Sequence, residues 1–117
     1  MLNIKRLYRS FKYAFKGLGS LIKKEQNFRI HLIASIVVLF GAIYFNIKLW
    51  QWCLIILMAA GVLILEMLNT AFERLLDILK PRIHDYVGEI KNIMSAVVLV
   101  AAIASVMIAL IIFIPYF

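Results

Sequence analysis

Acid is scarce in this sequence. Of 117 residues 6 are Asp or Glu, against 13 that are Lys or Arg, and charged residues of both signs reach only 16%. A soluble domain carries about 25% charged residues and is roughly 45–50% apolar, whereas this chain is 65% hydrophobic with a mean hydropathy of +0.98. A small soluble fold leaves too much of its surface exposed to hide that apolar area. Cysteine is almost missing as well. Cys53 stands alone in an apolar run, as a small core or lipid-facing residue, so there is no disulfide framework and no compartment to read from one. No Cys/His cluster has zinc spacing, His31 and His84 are isolated in the sequence, and no Gly-x-Ser-x-Gly occurs. Gly17-Leu18-Gly19 lacks the length and the Lys-Ser/Thr ending of a P-loop. These absences argue against a soluble enzyme, a disordered tail and a disulfide-rich secreted domain, and they leave an integral membrane protein.

Three apolar stretches are present: Ile30 to Phe45, Leu49 to Leu65, and the uncharged run from Ile93 to Phe117. A helix needs about 20 residues to cross a bilayer core. The first two runs reach that length only by drawing in polar flanks, Asn27 to Arg29 for one and Glu66 to Asp77 for the other. That borrowing puts carboxylates on a helix at or just past the membrane face. The basic residues set the orientation. With three spans and a cytoplasmic N-terminus, every Lys and Arg except Lys48 falls on the cytoplasmic side, and the C-terminus lies outside. Trp50 and Trp52 fit an aromatic belt on the outer face.

The first 29 residues have too long a basic region for a signal peptide, and no small-residue cleavage site follows the apolar run. At about 100° per residue, Leu7, Phe11, Ala14, Leu18 and Leu21 form one stripe, opposite Lys5, Arg9, Lys12, Lys16 and Lys23. That pattern describes a cationic amphipathic helix lying on the membrane. Its basic face is either a lipid anchor alone or part of a site. A nucleic-acid role is not expected, because the apolar stripe already explains a membrane location. The expected architecture is an all-α integral membrane domain over 1–117, with a surface helix at 1–26 and spans at 28–47, 49–78 and 91–115. Pro81 interrupts the chain, so residues 78–90 are expected to form a short cytoplasmic connection.

The second span is the informative one. Asn69, Thr70, Glu73 and Asp77 all project within about 60° of Glu66. Ionisable groups in a span are costly and face a bundle interior or an aqueous site. A solvated helix end accounts for Arg74 and Asp77. It accounts poorly for Glu66, which directly follows the uncharged run from Trp52 to Leu65. Magnesium takes one or two carboxylates together with substrate phosphates. Glu73 is a candidate ligand, and Glu25, the only acid of the basic segment, is a candidate second unless it is simply paired with Lys24 or Arg29. Lys91 and Ser95 are four residues apart and can share a face, with Lys91 either a phosphate partner or a snorkelling anchor.

Glu66-Met-Leu-Asn-Thr-Ala-Phe-Glu-Arg-Leu-Leu-Asp77 resembles the ExxNTxxExxxD signature of the prokaryotic diacylglycerol kinase / undecaprenol kinase family. The resemblance extends to Phe11-Lys-Tyr-Ala-Phe-Lys-Gly-Leu18, Glu25-Gln-Asn-Phe-Arg-Ile-His31 and Lys91-Asn-Ile-Met-Ser-Ala96, and it covers essentially the whole chain. It implies a lipid kinase of the bacterial cell membrane that uses MgATP, built as a homotrimer with sites shared between neighbouring chains. By the same resemblance Glu66 is the general base and Asn69 positions it or the acceptor. Glu25 and Glu73 hold magnesium. Arg6, Tyr13, Glu25, Glu73, His84, Lys91 and Asn92 contact the nucleotide, and Lys16, Arg29, Glu66 and Ser95 lie by the lipid. Asn92 stands where the family usually has Asp, which keeps hydrogen bonding but removes a charge; Phe72 replaces the usual Ile or Val. The Phe11 and Glu25 segments look more like the Gram-positive branch, which implies undecaprenol as acceptor. The alternatives are diacylglycerol, or a non-enzymatic membrane subunit whose polar face joins neighbouring helices.

Overall fold

The structure, a computed structural model, describes residues 1–82 and 85–117. It is all-α: α1 (Ile4–Lys24), α2 (Gln26–Phe45) and α3 (Leu49–Phe113), closed by a 3-10 turn at Ile114–Tyr116. Helix α1 starts where the Asn3 side chain accepts a hydrogen bond from the Arg6 amide at 3.1 Å, satisfying one of the helix's free donors. Lys23 and Lys24 in its last turn suit the negative end of the helix dipole.

A single extended residue, Glu25 (φ −108°, ψ 108°), separates α1 from α2. Its amide donates to the Leu21 carbonyl at 2.9 Å, and its own carbonyl accepts from the Arg29 amide at 3.2 Å. The Arg29 guanidinium then reaches back from α2 and donates to the Ile22 and Lys23 carbonyls at 3.0 and 2.8 Å. Those are carbonyls of the last turn of α1, which have no partner within the helix. Leu21 and Phe28 are buried at this corner. The rest of α1 keeps an exposed apolar stripe that includes Leu7 and Phe11, as an interfacial helix requires.

The second corner is made at Asn46, whose φ of 51° and ψ of 56° are left-handed. Its amide donates to Ile43 at 3.2 Å, and the Ile47 amide donates to Ala42 at 3.3 Å. This bond pattern closes a helix C-terminus, and the accompanying apolar contact comes from Ala42 and Ile47, which are buried in one cluster.

Helix α3 differs from the expected four-helix layout. Its helical backbone runs from Leu49 to Phe113 with Pro81 inside, so positions 78–90 are not an irregular connection. A straight helix of 65 residues would be about 97 Å long, yet the longest dimension of the molecule is 53 Å. The helix therefore doubles back. Lys91 Nζ meets Asp77 at 2.8 Å at one end, and the Tyr116 hydroxyl meets Gln51 at 2.7 Å at the other. Pro81 supplies a physical reason for the bend, since it lacks an amide donor and its ring crowds the carbonyl one turn back. Helix α2 and the two arms of α3, Leu49–Arg82 and Asp85–Tyr116, are each long and apolar enough to cross a membrane.

The arms are tied together opposite the Pro81 bend. Gln51 Oε1 accepts from the Lys48 amide at 2.9 Å as well as from Tyr116. Ala42, Ile47, Ile55 and Ile112 form the buried cluster there, with Phe45 packed against Phe113, Tyr116 and Phe117 at ring separations of 6.0, 5.8 and 5.0 Å. Elsewhere large apolar residues such as Ile33, Phe40 and Ile111 face outward. In hydrocarbon such exposure carries no hydrophobic penalty, and the helices are held by close packing and hydrogen bonds.

Candidate active site

The polar face of the first arm of α3 is buried near the end at which the Pro81 bend lies. Glu66 is 4% exposed, Asn69 9% and Thr70 3%. A carboxylate so placed needs a partner, and it finds one on α2: His31 Nε2 lies 3.3 Å from Glu66 Oε1. His31, isolated in the sequence, is thus brought to the buried acid. The Glu66 carboxylate is also within electrostatic reach of Glu73 and Glu25. Its period on the helix puts Glu73 on the same face, and the α1–α2 corner delivers Glu25.

Asn27, His31, Glu66, Asn69 and Ser95 line one cavity of about 250 Å³, closed on its apolar side by Val98, Leu99 and Ala102. Asn69 Oδ1 is buried there without a hydrogen-bond partner. A buried acceptor left unmatched is costly, so this atom and the Glu66 carboxylate present two acceptors to hydrogen-bond donors entering the cavity. Ser95 enters the cavity from the second arm because the doubled helix returns past Glu66.

Glu25 pairs with Arg74 at 3.4 Å, rather than with Lys24 or Arg29. Arg29 is instead engaged by the α1 carbonyls, so it braces the surface helix. Lys91 pairs with Asp77, which fastens the base of the hairpin. Asn92 is exposed beside it. Arg6, Tyr13 and Lys16 lie on the exposed part of α1, outside the cavity lining. The expected contact at His84 falls outside the described residues. Of the twelve residues expected at the site, the cavity gathers Glu66, Asn69 and Ser95, with Glu25 and Glu73 beside it.

Among the described residues no three His, Cys, Asp or Glu side chains converge as a metal cage. Glu25 and Glu73 nevertheless provide hard oxygen donors, which fits a cation that completes its shell with phosphate oxygens.

A family model described as prokaryotic diacylglycerol kinase matches residues 12–113. The chain is 31% identical over 112 residues to an undecaprenol kinase of Bacillus subtilis, covering 96% of this chain and 91% of that protein. It is 32% identical over 100 residues to a diacylglycerol kinase of Synechocystis, covering 85% of this chain and 57% of that protein. It is 30% identical over 101 residues to a diacylglycerol kinase of Escherichia coli, covering 86% and 83%. A helical membrane fold with a buried carboxylate beside a polar cavity is thus joined to a sequence class of lipid kinases. The chain belongs to the prokaryotic diacylglycerol kinase family. Kinases of this class draw on a nucleotide donor and a lipid alcohol acceptor, and the three apolar helices suit a protein of a bacterial membrane.

Proposed function

We propose that this protein transfers the γ-phosphoryl group of ATP to the primary hydroxyl of undecaprenol at the cytoplasmic face of the membrane. The observation that carries the reading is Glu66, buried beside His31 and opening with the unmatched Asn69 Oδ1 onto one polar cavity. An alcohol is a weak nucleophile until a base takes its proton as attack proceeds. Glu66 accepts that proton, the lipid oxygen bonds to the γ-phosphorus, and ADP leaves. The Asn69 side-chain amide N–H and the Ser95 hydroxyl donate to the lipid oxygen and hold the acceptor, while His31 fixes the carboxylate. Phosphoryl transfer depends mainly on positioning and on neutralising phosphate charge. Glu25 and Glu73 would hold Mg²⁺, which supplies charge neutralisation at the phosphates when bound. Lys91, released from Asp77, adds a positive charge on the same side, and Arg6, Tyr13, His84 and Asn92 complete the nucleotide contacts. Lys16 and Arg29 flank the lipid.

Undecaprenol is favoured by similarity to the Bacillus subtilis undecaprenol kinase along nearly the whole of both chains. Diacylglycerol is the second reading, supported by the Synechocystis and Escherichia coli relatives. Purified protein given labelled ATP with each alcohol in parallel decides between them. Labelled product from diacylglycerol alone would reverse the substrate assignment, and product from neither would overturn the kinase reading. Alanine at Glu25 or Glu73 is expected to raise the magnesium concentration needed for half-maximal rate about tenfold or more, as loss of a metal-supporting group does. An unchanged metal titration would remove these residues from the metal site.

A further inference from the structure

Arg74 is a charge that the chemistry proposed for the site leaves unused. By its place in the sequence it belongs to the solvated end of the first arm, with Glu73 and Asp77 as its acidic neighbours on the same helix. The structure gives it a different partner. Adjacent positions on a helix do not face each other, and Asp77 is held by Lys91 at 2.8 Å. Arg74 Nη2 reaches across to the corner between α1 and α2 and donates to Glu25 Oε1 at 3.4 Å. The two side chains are 50% and 32% exposed, and a pair so open to solvent adds little to stability. Its consequence is positional.

Glu25 is a single extended residue whose amide and carbonyl are both hydrogen-bonded. Its backbone is therefore fixed, while its side chain keeps torsions of its own. Glu66 is within electrostatic reach of both Glu25 and Glu73. Like charges repel, so an untethered Glu25 carboxylate would turn away from the site. A guanidinium on Oε1 opposes that and leaves the lone pairs of Oε2 as a hard donor. Outer groups that hold a metal-binding side chain in place set metal affinity, and their loss costs about 10–100-fold. The geometry points to Arg74 as a positioning residue: it holds the Glu25 carboxylate at the site, ready for the divalent cation that accompanies the nucleotide. The inference rests on the metal reading of Glu25 and Glu73, and it adds the residue that prepares one of the two ligands before the cation arrives.

The sign of the effect separates positioning from plain charge. Removing a positive charge beside a cation site strengthens cation binding by Coulomb attraction, whereas losing the group that aims a ligand weakens it. Full-length protein in detergent micelles is titrated with Mn²⁺, a paramagnetic stand-in for Mg²⁺, together with a non-hydrolysable ATP analogue, and free Mn²⁺ is read by electron paramagnetic resonance. Arg74→Ala is expected to weaken Mn²⁺ binding about tenfold or more, and Arg74→Lys to recover part of the loss. Arg74→Gln, which keeps N–H donors without the charge, replaces alanine should that variant fail to fold. In a Glu25→Ala background, Arg74→Ala is expected to have no further effect. A fluorescent ATP analogue in EDTA is expected to bind wild type and Arg74→Ala alike. Unchanged or tighter Mn²⁺ binding in Arg74→Ala overturns the proposal, and so do additive losses in the double variant. Weaker nucleotide binding in EDTA also overturns it, by making Arg74 a direct phosphate contact. Wild-type protein that takes up no Mn²⁺ with the analogue overturns the metal reading of Glu25 and Glu73 together with this one. Mn²⁺ uptake that depends on Arg74, in a protein that phosphorylates neither alcohol, removes the lipid kinase reading and leaves the positioning role standing.

Discussion

Glu66 is the residue on which most depends, and its surroundings explain why. It is almost fully buried and has His31 at 3.3 Å. Glu66→Gln keeps the shape and removes the basic oxygen, so kcat should fall about 10²–10⁴-fold, the range for a lost general base. Helical content and oligomeric mass should be unchanged, and turnover near wild type would end the base assignment. His31→Ala should act differently, because His31 orients the carboxylate without touching ATP. A hydrogen bond to a charged group is worth about 1.5–3 kcal/mol, so kcat should drop about tenfold or more with KM for ATP constant. His31→Gln, which retains an N–H donor, should restore part of it. A shift in KM for ATP alone would refute the positioning role. The polar face of Glu66, Asn69 and Glu73 was legible from helical period, since those residues belong to one helix. The His31 contact was not, because it joins side chains of two helices and no periodicity links them. The same holds for Arg74 with Glu25 and for Asp77 with Lys91.

At the scale of elements, two corners and a bend fix where the polar groups meet. Residue 46 must be left-handed to close α2. Asn tolerates this and Gly adopts it freely, but a left-handed conformation costs an ordinary L-residue roughly 1–2 kcal/mol. Asn46→Ala should therefore destabilise the protein by about that amount while Asn46→Gly stays near wild type, as read by thermal unfolding in micelles. Equal losses for both would locate the role of Asn46 in its side chain instead. The three apolar lengths and the amphipathic surface helix were readable in the sequence, because hydrophobic period and run length are local properties. The path around Pro81 was not. Proline marks a place where helical hydrogen bonding is broken, but it leaves open whether the backbone becomes irregular or stays helical while reversing. Here the first arm runs helical through Pro81 to Arg82, and the return of the chain in the second arm, Asp85–Tyr116, brings Ser95 to Glu66.

At the scale of the whole molecule, the surface helix poses a question that one chain leaves open. Residues 1–17 are all exposed, and the buried contact of α1 with the bundle is made at Leu21. From Leu21 to Arg6 along a helix is about 22 Å. Arg6, Tyr13 and Lys16 therefore extend away from the corner beside which their own chain places Glu25 and Glu66. On the kinase reading we propose that their work on nucleotide and lipid falls at the site of a neighbouring copy, the arrangement expected of a homotrimer with shared sites. Mixing defective protomers tests this directly. Glu66→Gln and Arg6→Ala damage different chains at any shared site, so mixed oligomers should contain some intact sites and regain turnover that neither variant shows alone. Glu66→Gln with Glu73→Ala is the control. Both residues lie on the same face of one helix in one chain, and every site in that mixture keeps a defect. Recovery in the first mixture and none in the second, with chemical cross-linking that stops at three chains, is the expected result. Equal behaviour of the two mixtures would return the surface helix to its own chain's site, or to the membrane surface alone.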